Sequence, residues 1–130
     1  MDRLVWKLDS AGGSGIKLTD DGCFRLPRKS VYEIYAKVTF EIYRNNVTGG
    51  VFPHYHNVQL TRQHDSDFLD KNILSAPYLP PNAPRVFQTS SLLVLGEFEP
   101  DDLICVFVKY TSLVYNSKYD NTVKIIQRGN

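Results

Sequence analysis

Apolar and polar side chains alternate along Val31 to Tyr43, V-Y-E-I-Y-A-K-V-T-F-E-I-Y. Tyr32, Ile34, Ala36, Val38, Phe40 and Ile42 fall on one side, all apolar or aromatic. Val31, Glu33, Tyr35, Lys37, Thr39 and Glu41 fall on the other, and most are polar. A period of two is the signature of a strand, and helical spacing would mix the two sets. The stretch therefore predicts one long strand with one face in a core. Its second face carries Val31 and Tyr35, which equips it better for contact than a plain solvent face, so it is where function is sought.

Shorter patterns surround it. Leu4 to Leu8 reads as a strand, followed by a Gly- and Ser-rich turn region from Asp9 to Gly15. Ile16 to Leu18 pairs briefly with a neighbour. Asp20-Asp21-Gly22 is a hairpin turn signal. Cys23 to Leu26 is a strand ended by Pro27, which has no N–H for a ladder. Arg44 to Pro53 is a loop. Tyr55 to Gln63 alternates again. Asp65 to Asp70 is expected as a short acidic loop carrying Phe68 and Leu69, and Lys71 to Leu79 as a weak strand. Pro80 to Pro84 is a rigid connection. Phe87 to Phe98 contains a strand built on Leu92 to Leu95. Glu99 to Asp102 is a turn, Leu103 to Tyr110 a strand apolar on both faces, Thr111 to Asn121 a loop, and Thr122 to Gln127 the last strand. No run combines helical length, helical periodicity and caps. Many strands separated by turn signals predict an all-β, two-sheet antiparallel sandwich or jelly roll.

Length and composition narrow the function. The 130 residues fit a single domain spanning 1–130. Hydrophobic content of 42% and charged content of 22% are those of a folded globular chain. The net charge of +1 lacks the basic footprint of nucleic-acid binding. No run approaches the ~20 apolar residues of a membrane span, so no membrane contact is expected of this segment. Cys23 and Cys105 permit at most one disulfide, and both are expected as buried, unpaired thiols in separate strands. Asn46-Val47-Thr48 is a glycosylation sequon, with Asn46 as the acceptor, and it favours an extracellular setting.

The order of motifs resembles the tumour necrosis factor ligand family. Leu4-Val5-Trp6-Lys7-Leu8 looks like that family's first strand with its tryptophan. The segment G-C-F-R-L-P-R-K-S-V-Y-E-I-Y-A-K-V-T-F is similar to the family signature G-x-L-x-x-P-x-x-G-L-Y-x-I-Y-x-x-V-x-F. Pro27, Tyr32, Ile34, Tyr35, Val38 and Phe40 match in place. His56 to Leu60 resembles the family's H-x-V-x-L strand, Ser90-Ser91-Leu92 its S-S-Y segment, and Glu99 to Leu103 its turn before the penultimate strand. Ser30 replaces a glycine, Glu33 a usually apolar residue and Leu92 an aromatic, and the last strand lacks the Phe-Phe-Gly pattern, which marks a divergent member. The globular heads of complement-type collagenous proteins share the fold, but this chain has no Gly-X-Y repeat.

The resemblance implies a secreted or ectodomain cytokine, a homotrimer with no cofactor, acting in immune signalling through a cell-surface receptor. Three chains would pack through Val31, Glu33, Tyr35 and Lys37, with Leu92 on a neighbouring strand. Buried Glu33 carboxylates would repel unless paired with Lys37 or an arginine of the next chain. The receptor would lie in the groove between subunits against Phe68, Leu69 and Asp67. The alternative for Phe68 is that it tucks back into the core.

A rival from another class rests on His54-Tyr55-His56. Two His at i and i+2 share a strand face, as in metal-binding cupin jelly rolls. Gln59 and Gln63 stand where the carboxylate ligand belongs, and an open metal site needs about three protein ligands. No phosphate loop, nucleophile elbow or CxxC pair is present. The expectation is a binding protein, with no catalytic residue and no metal.

Overall fold

The computed structural model describes residues 2–3, 15–43, 56–62, 67–74, 79, 82–109, 113–115 and 121–129. The strands are β1 (Asp2–Arg3), β2 (Lys17–Leu18), β3 (Phe24–Arg25), β4 (Ser30–Tyr43), β5 (His56–Arg62), β6 (Asp67–Leu74), β7 (Arg85–Phe98), β8 (Leu103–Val108) and β9 (Thr122–Gly129). They form two antiparallel sheets. The larger has six strands in the order β2-β3-β8-β5-β6, with β1 also on β8; the smaller has three, in the order β7-β4-β9. The expected strand at Leu4 to Leu8, the sequon at Asn46 and His54 lie outside the described residues.

β4 is the alternating stretch, and its burial alternates as its sequence does. Tyr32, Ile34, Ala36, Val38, Phe40 and Ile42 are buried. Its full 14 residues pair with β7 in one unbroken register, from Ser30 opposite Phe98 to Tyr43 opposite Arg85. On its other side β9 pairs from Lys37 to Val31, with a register shift between Val31 and Tyr32. Beyond β9 that flank of β4 is held by a bridge from Phe40 to Val114 and by the Asn121 side chain, which accepts a hydrogen bond from the Thr39 N–H at 2.9 Å.

The two sheets face each other across one apolar core, as a β-sandwich. Phe24, Leu26, Val58, Leu60, Ile104, Val106 and Val108 from the larger sheet side meet Tyr32, Ile34, Val38, Phe40, Leu92 and Phe98 from the smaller. The chain alternates between layers: β3 to β4, β4 to β5, β6 to β7, β7 to β8 and β8 to β9 each change sheet.

Turn chemistry follows sequence. Asp20-Asp21-Gly22 links β2 to β3, with Gly22 at φ 88° and its N–H donating to the Thr19 carbonyl at 3.0 Å. A three-residue hairpin loop needs positive φ at this position, which glycine adopts without a Cβ penalty. Glu99 to Asp102 turns with Asp101 at φ 67°, and the Asp102 carboxylate accepts a hydrogen bond from the Glu99 N–H at 2.9 Å.

The cysteine expectation is overturned. Cys23 and Cys105 are joined in a disulfide, and neither is a free thiol. The sequence reads as placing them, unpaired, in separate strands. β3 and β8 are instead neighbours, with Phe24 opposite Ile104, which sets Cys23 directly opposite Cys105. Their Cα atoms are 4.6 Å apart. That is the spacing of a non-hydrogen-bonded antiparallel pair, about 4.5 Å, and it falls within the range a disulfide spans. Cysteine spacing in sequence does not report such cross-strand opposition.

Candidate functional site

The face of the three-stranded sheet turned away from the core is the candidate site. Its middle row is β4: Val31, Glu33, Tyr35 and Lys37, all half-buried. On β7, Leu95 lies across from Glu33, Leu93 across from Tyr35, and Ser91 across from Lys37. On β9, Ile126 lies across from Glu33, Lys124 across from Tyr35, and Thr122 across from Lys37. The row continues through Thr39, Glu41 and Tyr43, paired with Thr89, Phe87 and Arg85.

Leu92 is corrected. It pairs with Ala36, packs in the sandwich core and is 2% exposed, so it cannot lie on the outward face. Its neighbours Leu93 and Leu95 do, at 59% and 67% exposure. The remaining exposed large hydrophobics of the described residues, Tyr43 and Phe87, are on this same face. The run Leu92-Leu93-Val94-Leu95 is apolar at every position, so alternation gives no parity there, and only the pairing with β4 decides which leucines point out.

Polar contacts run across the face. The Tyr35 hydroxyl is 3.3 Å from the Ser91 hydroxyl, and Thr39 and Thr89 hydroxyls are 2.9 Å apart. One carboxylate oxygen of Glu33 accepts from Arg128 Nε at 2.8 Å and Nη2 at 2.6 Å. The sequence asks of a Glu33 buried between chains that it pair with Lys37 or an arginine of the next chain; within the protomer its partner is Arg128. Four residues along a strand span ~13 Å, which puts Lys37 out of reach, whereas β9 runs alongside. Farther along, Arg85 pairs with Glu41 at 3.1 Å and stacks over the Phe87 ring at 5.2 Å from its centre. Phe87 meets Tyr115 edge-on at 5.0 Å. The Tyr43 hydroxyl donates to Glu41. That hydrogen bond to the Glu41 carboxylate, followed by desolvation, raises the Tyr43 phenol above its ordinary pKa.

The second candidate segment is also corrected. Asp67 to Asp70 was expected as a loop, but these residues open β6, the edge strand of the larger sheet. Asp67 pairs with Arg62 and Phe68 with Thr61, and the register shifts before Asp70 meets Leu60. Leu69 falls at this bulge, half-buried and packed on the core. Three aspartates among the six residues Asp65 to Asp70 read as a turn; strand pairing with β5 overrides that local preference from Asp67 on.

Among the described residues no group of three or more His, Cys, Asp or Glu is placed to hold a metal ion. No helix of the described residues is long and apolar enough to cross a membrane. No protein-family model matches the chain, and no curated protein matches it.

Proposed function

We propose that the chain is an extracellular, cytokine-like ligand of the tumour necrosis factor type, a jelly-roll homotrimer that binds a cell-surface receptor between subunits. The observation that carries the reading is the exposure of Leu93 and Leu95 beside Tyr35, at 59% and 67%. An isolated protomer gains nothing from two leucines flanking a tyrosine on an open sheet, whereas a covering subunit buries all three. The strand order supports the jelly-roll reading, because successive strands cross between sheets as that architecture requires. The motif order from Pro27 to Phe40 supports the family. A buried disulfide suits an oxidising compartment.

Receptor contact is assigned to Asp67 and Phe68 on the edge strand β6, and the subunit contact to Val31, Glu33, Tyr35 and Lys37 with Leu93 and Leu95. Light scattering at micromolar concentration tests the assembly. The expected mass is three times 14.9 kDa, a closed ring of copies. Leu93→Glu is expected to return it to one chain, and a monomeric wild type refutes the proposal. For the receptor, Phe68→Ala is expected to weaken binding by ~2 kcal/mol while leaving the mass unchanged.

A further inference from the structure

Several cationic side chains have acids beside them. Lys29 meets Glu97 at 3.4 Å and Glu99 at 3.7 Å, Arg62 meets Asp102 at 4.0 Å, Arg85 meets Glu41 at 3.1 Å and Arg128 meets Glu33 at 2.6 Å. The β2–β3 hairpin differs. Lys17 on β2 lies directly opposite Arg25 on β3, and both are exposed. Asp20, Asp21 and Asp101 stand on the flanking turns, and among the described residues neither cation forms an ion pair. Like charges directly opposite on one sheet face repel, with Cβ atoms about 4.5–5.5 Å apart.

The fold holds the two together against that repulsion. Arg25 sits between Phe24 and Leu26, which are buried in the core, and Lys17 between Ile16 and Leu18, which pack against it. Strand alternation then leaves both cations on the outward side. Cys23, two residues before Arg25, is bonded to Cys105 on β8. The Leu26 N–H donates to the Asp102 carbonyl, and the Leu26 carbonyl accepts from the Asp101 N–H, each at 2.9 Å. At the start of the hairpin Gly15 lies so close to Pro27 that a Cβ on it would come within 3.3 Å of the proline Cβ. Arg28 follows Pro27 and is also exposed, with its Cα within about 11 Å of that of Arg25. It likewise forms no ion pair among the described residues.

We infer that Lys17, Arg25 and Arg28 form a binding row for a sulfated polysaccharide. An anion laid across cations that lack acids relieves their repulsion, and each arginine offers a planar fork of donors to anionic oxygens. The row is exposed strand and turn surface, which fits successive charges of one extended polymer. The net charge of +1 withholds the basic footprint that nucleic acid needs. A lipid surface recruits through clusters of about four to eight basic residues, more than stand here. The Cys23–Cys105 bond belongs to an oxidising compartment, and outside the cell the acidic polymers are sulfated glycans. The row is separate from the subunit and receptor contacts proposed above: β2 and β6 are opposite ends of the larger sheet, and β4, β7 and β9 form the other one.

Surface plasmon resonance of the full chain on immobilised heparin tests this at low and at physiological ionic strength. The variants are Arg25→Glu, Lys17→Gln with Arg28→Gln, and Lys124→Gln as an exposed cation on the other sheet. Wild type is expected to bind, and to bind less as salt screens the attraction. Arg25→Glu is expected to weaken binding at least about tenfold. Its melting temperature should not fall, because an opposite-charge pair now faces Lys17. If Arg25→Glu melts early, Lys17→Gln with Arg28→Gln carries the test, with the same loss expected. Lys124→Gln should stay within about twofold of wild type. A wild type that ignores heparin at low ionic strength overturns the inference. So does a folded Arg25→Glu that binds as wild type does, or a Lys124→Gln that loses as much as the hairpin variants. Retention on phosphatidylserine vesicles with none on heparin overturns the ligand class.

Discussion

The Asp70 carboxylate on β6 accepts a hydrogen bond from the backbone N–H of Leu93 on β7, with Oδ2 and N 3.3 Å apart. The two strands belong to different sheets, and each is an edge. The contact therefore closes one side of the sandwich and occupies a donor on the open edge of β7. Exposed edge donors invite strand addition from other chains, and a charged side chain placed over them discourages it. Leu93 is thus fixed twice, by pairing to Tyr35 and by Asp70, which holds its side chain on the outward face.

Asp70→Ala is expected to cost about 1 kcal/mol or less, the net value of one exposed hydrogen bond. The more sensitive readout is amide exchange at Leu93, which should quicken. Unchanged exchange would mean the carboxylate does not hold that edge.

Leu92 and Leu93 should behave as opposites. Leu92→Ala removes a core side chain and is expected to lower stability by ~2–5 kcal/mol. Leu93→Ala, measured on the dissociated chain by denaturant unfolding, should stay within ~0.5 kcal/mol of wild type. Equal losses at the two positions would contradict the register of β7 with β4.

Thiol counting in denaturant without reductant should find no free group, since Cys23 and Cys105 are bonded. The bond closes a loop with a sequence separation of 82. In the chain-entropy picture a loop of that length is worth ~4 kcal/mol, so Cys23→Ala with Cys105→Ala should lower stability by about that amount. Two free thiols per chain would refute the pairing.

Tyr43 should ionise later than an ordinary tyrosine, because its proton bridges to the Glu41 carboxylate. The sign follows from linkage: a folded-state pKa above the unfolded one gives stability that is whole below the unfolded value. That stability is lost as pH rises through the folded value. The difference in stability between wild type and Tyr43→Phe should therefore be constant from neutral pH to the ordinary phenol range and shrink above it. In a spectrophotometric titration Glu41→Gln should bring the Tyr43 transition down. A transition that stays put in Glu41→Gln would dissociate it from that carboxylate.

Much of the sandwich is legible in the sequence. The period of two in Val31 to Tyr43 marks both the strand and its core face, and Asp20-Asp21-Gly22 and Glu99 to Asp102 mark turns. What sequence leaves open is opposition between distant strands. Cys23 meets Cys105, Arg128 meets Glu33, and Leu93 rather than Leu92 faces out, each because of a register set by long-range pairing. The acidic run at Asp67 misleads for a related reason, since its pairing to Arg62 is settled by β5 and not by its own residues. Glu33 and Tyr35 were visible as members of a mixed face; the leucines that make it an apolar surface were hidden inside a uniformly apolar run.

The bond between Cys23 and Cys105 also makes most of this chain a covalent ring. β3, β4, β5, β6 and β7 lie within the closed loop, which ends inside β8 at Cys105. A protease that cuts the chain once between Tyr43 and His56 therefore releases no fragment until a reductant is added. The nicked molecule would migrate as one species on a non-reducing gel and as two on a reducing one, with both pieces still clamped across β3 and β8. A single scission in that interval would thus leave the two pieces travelling as one molecule, and the cut would become a loss only where thiols are in supply.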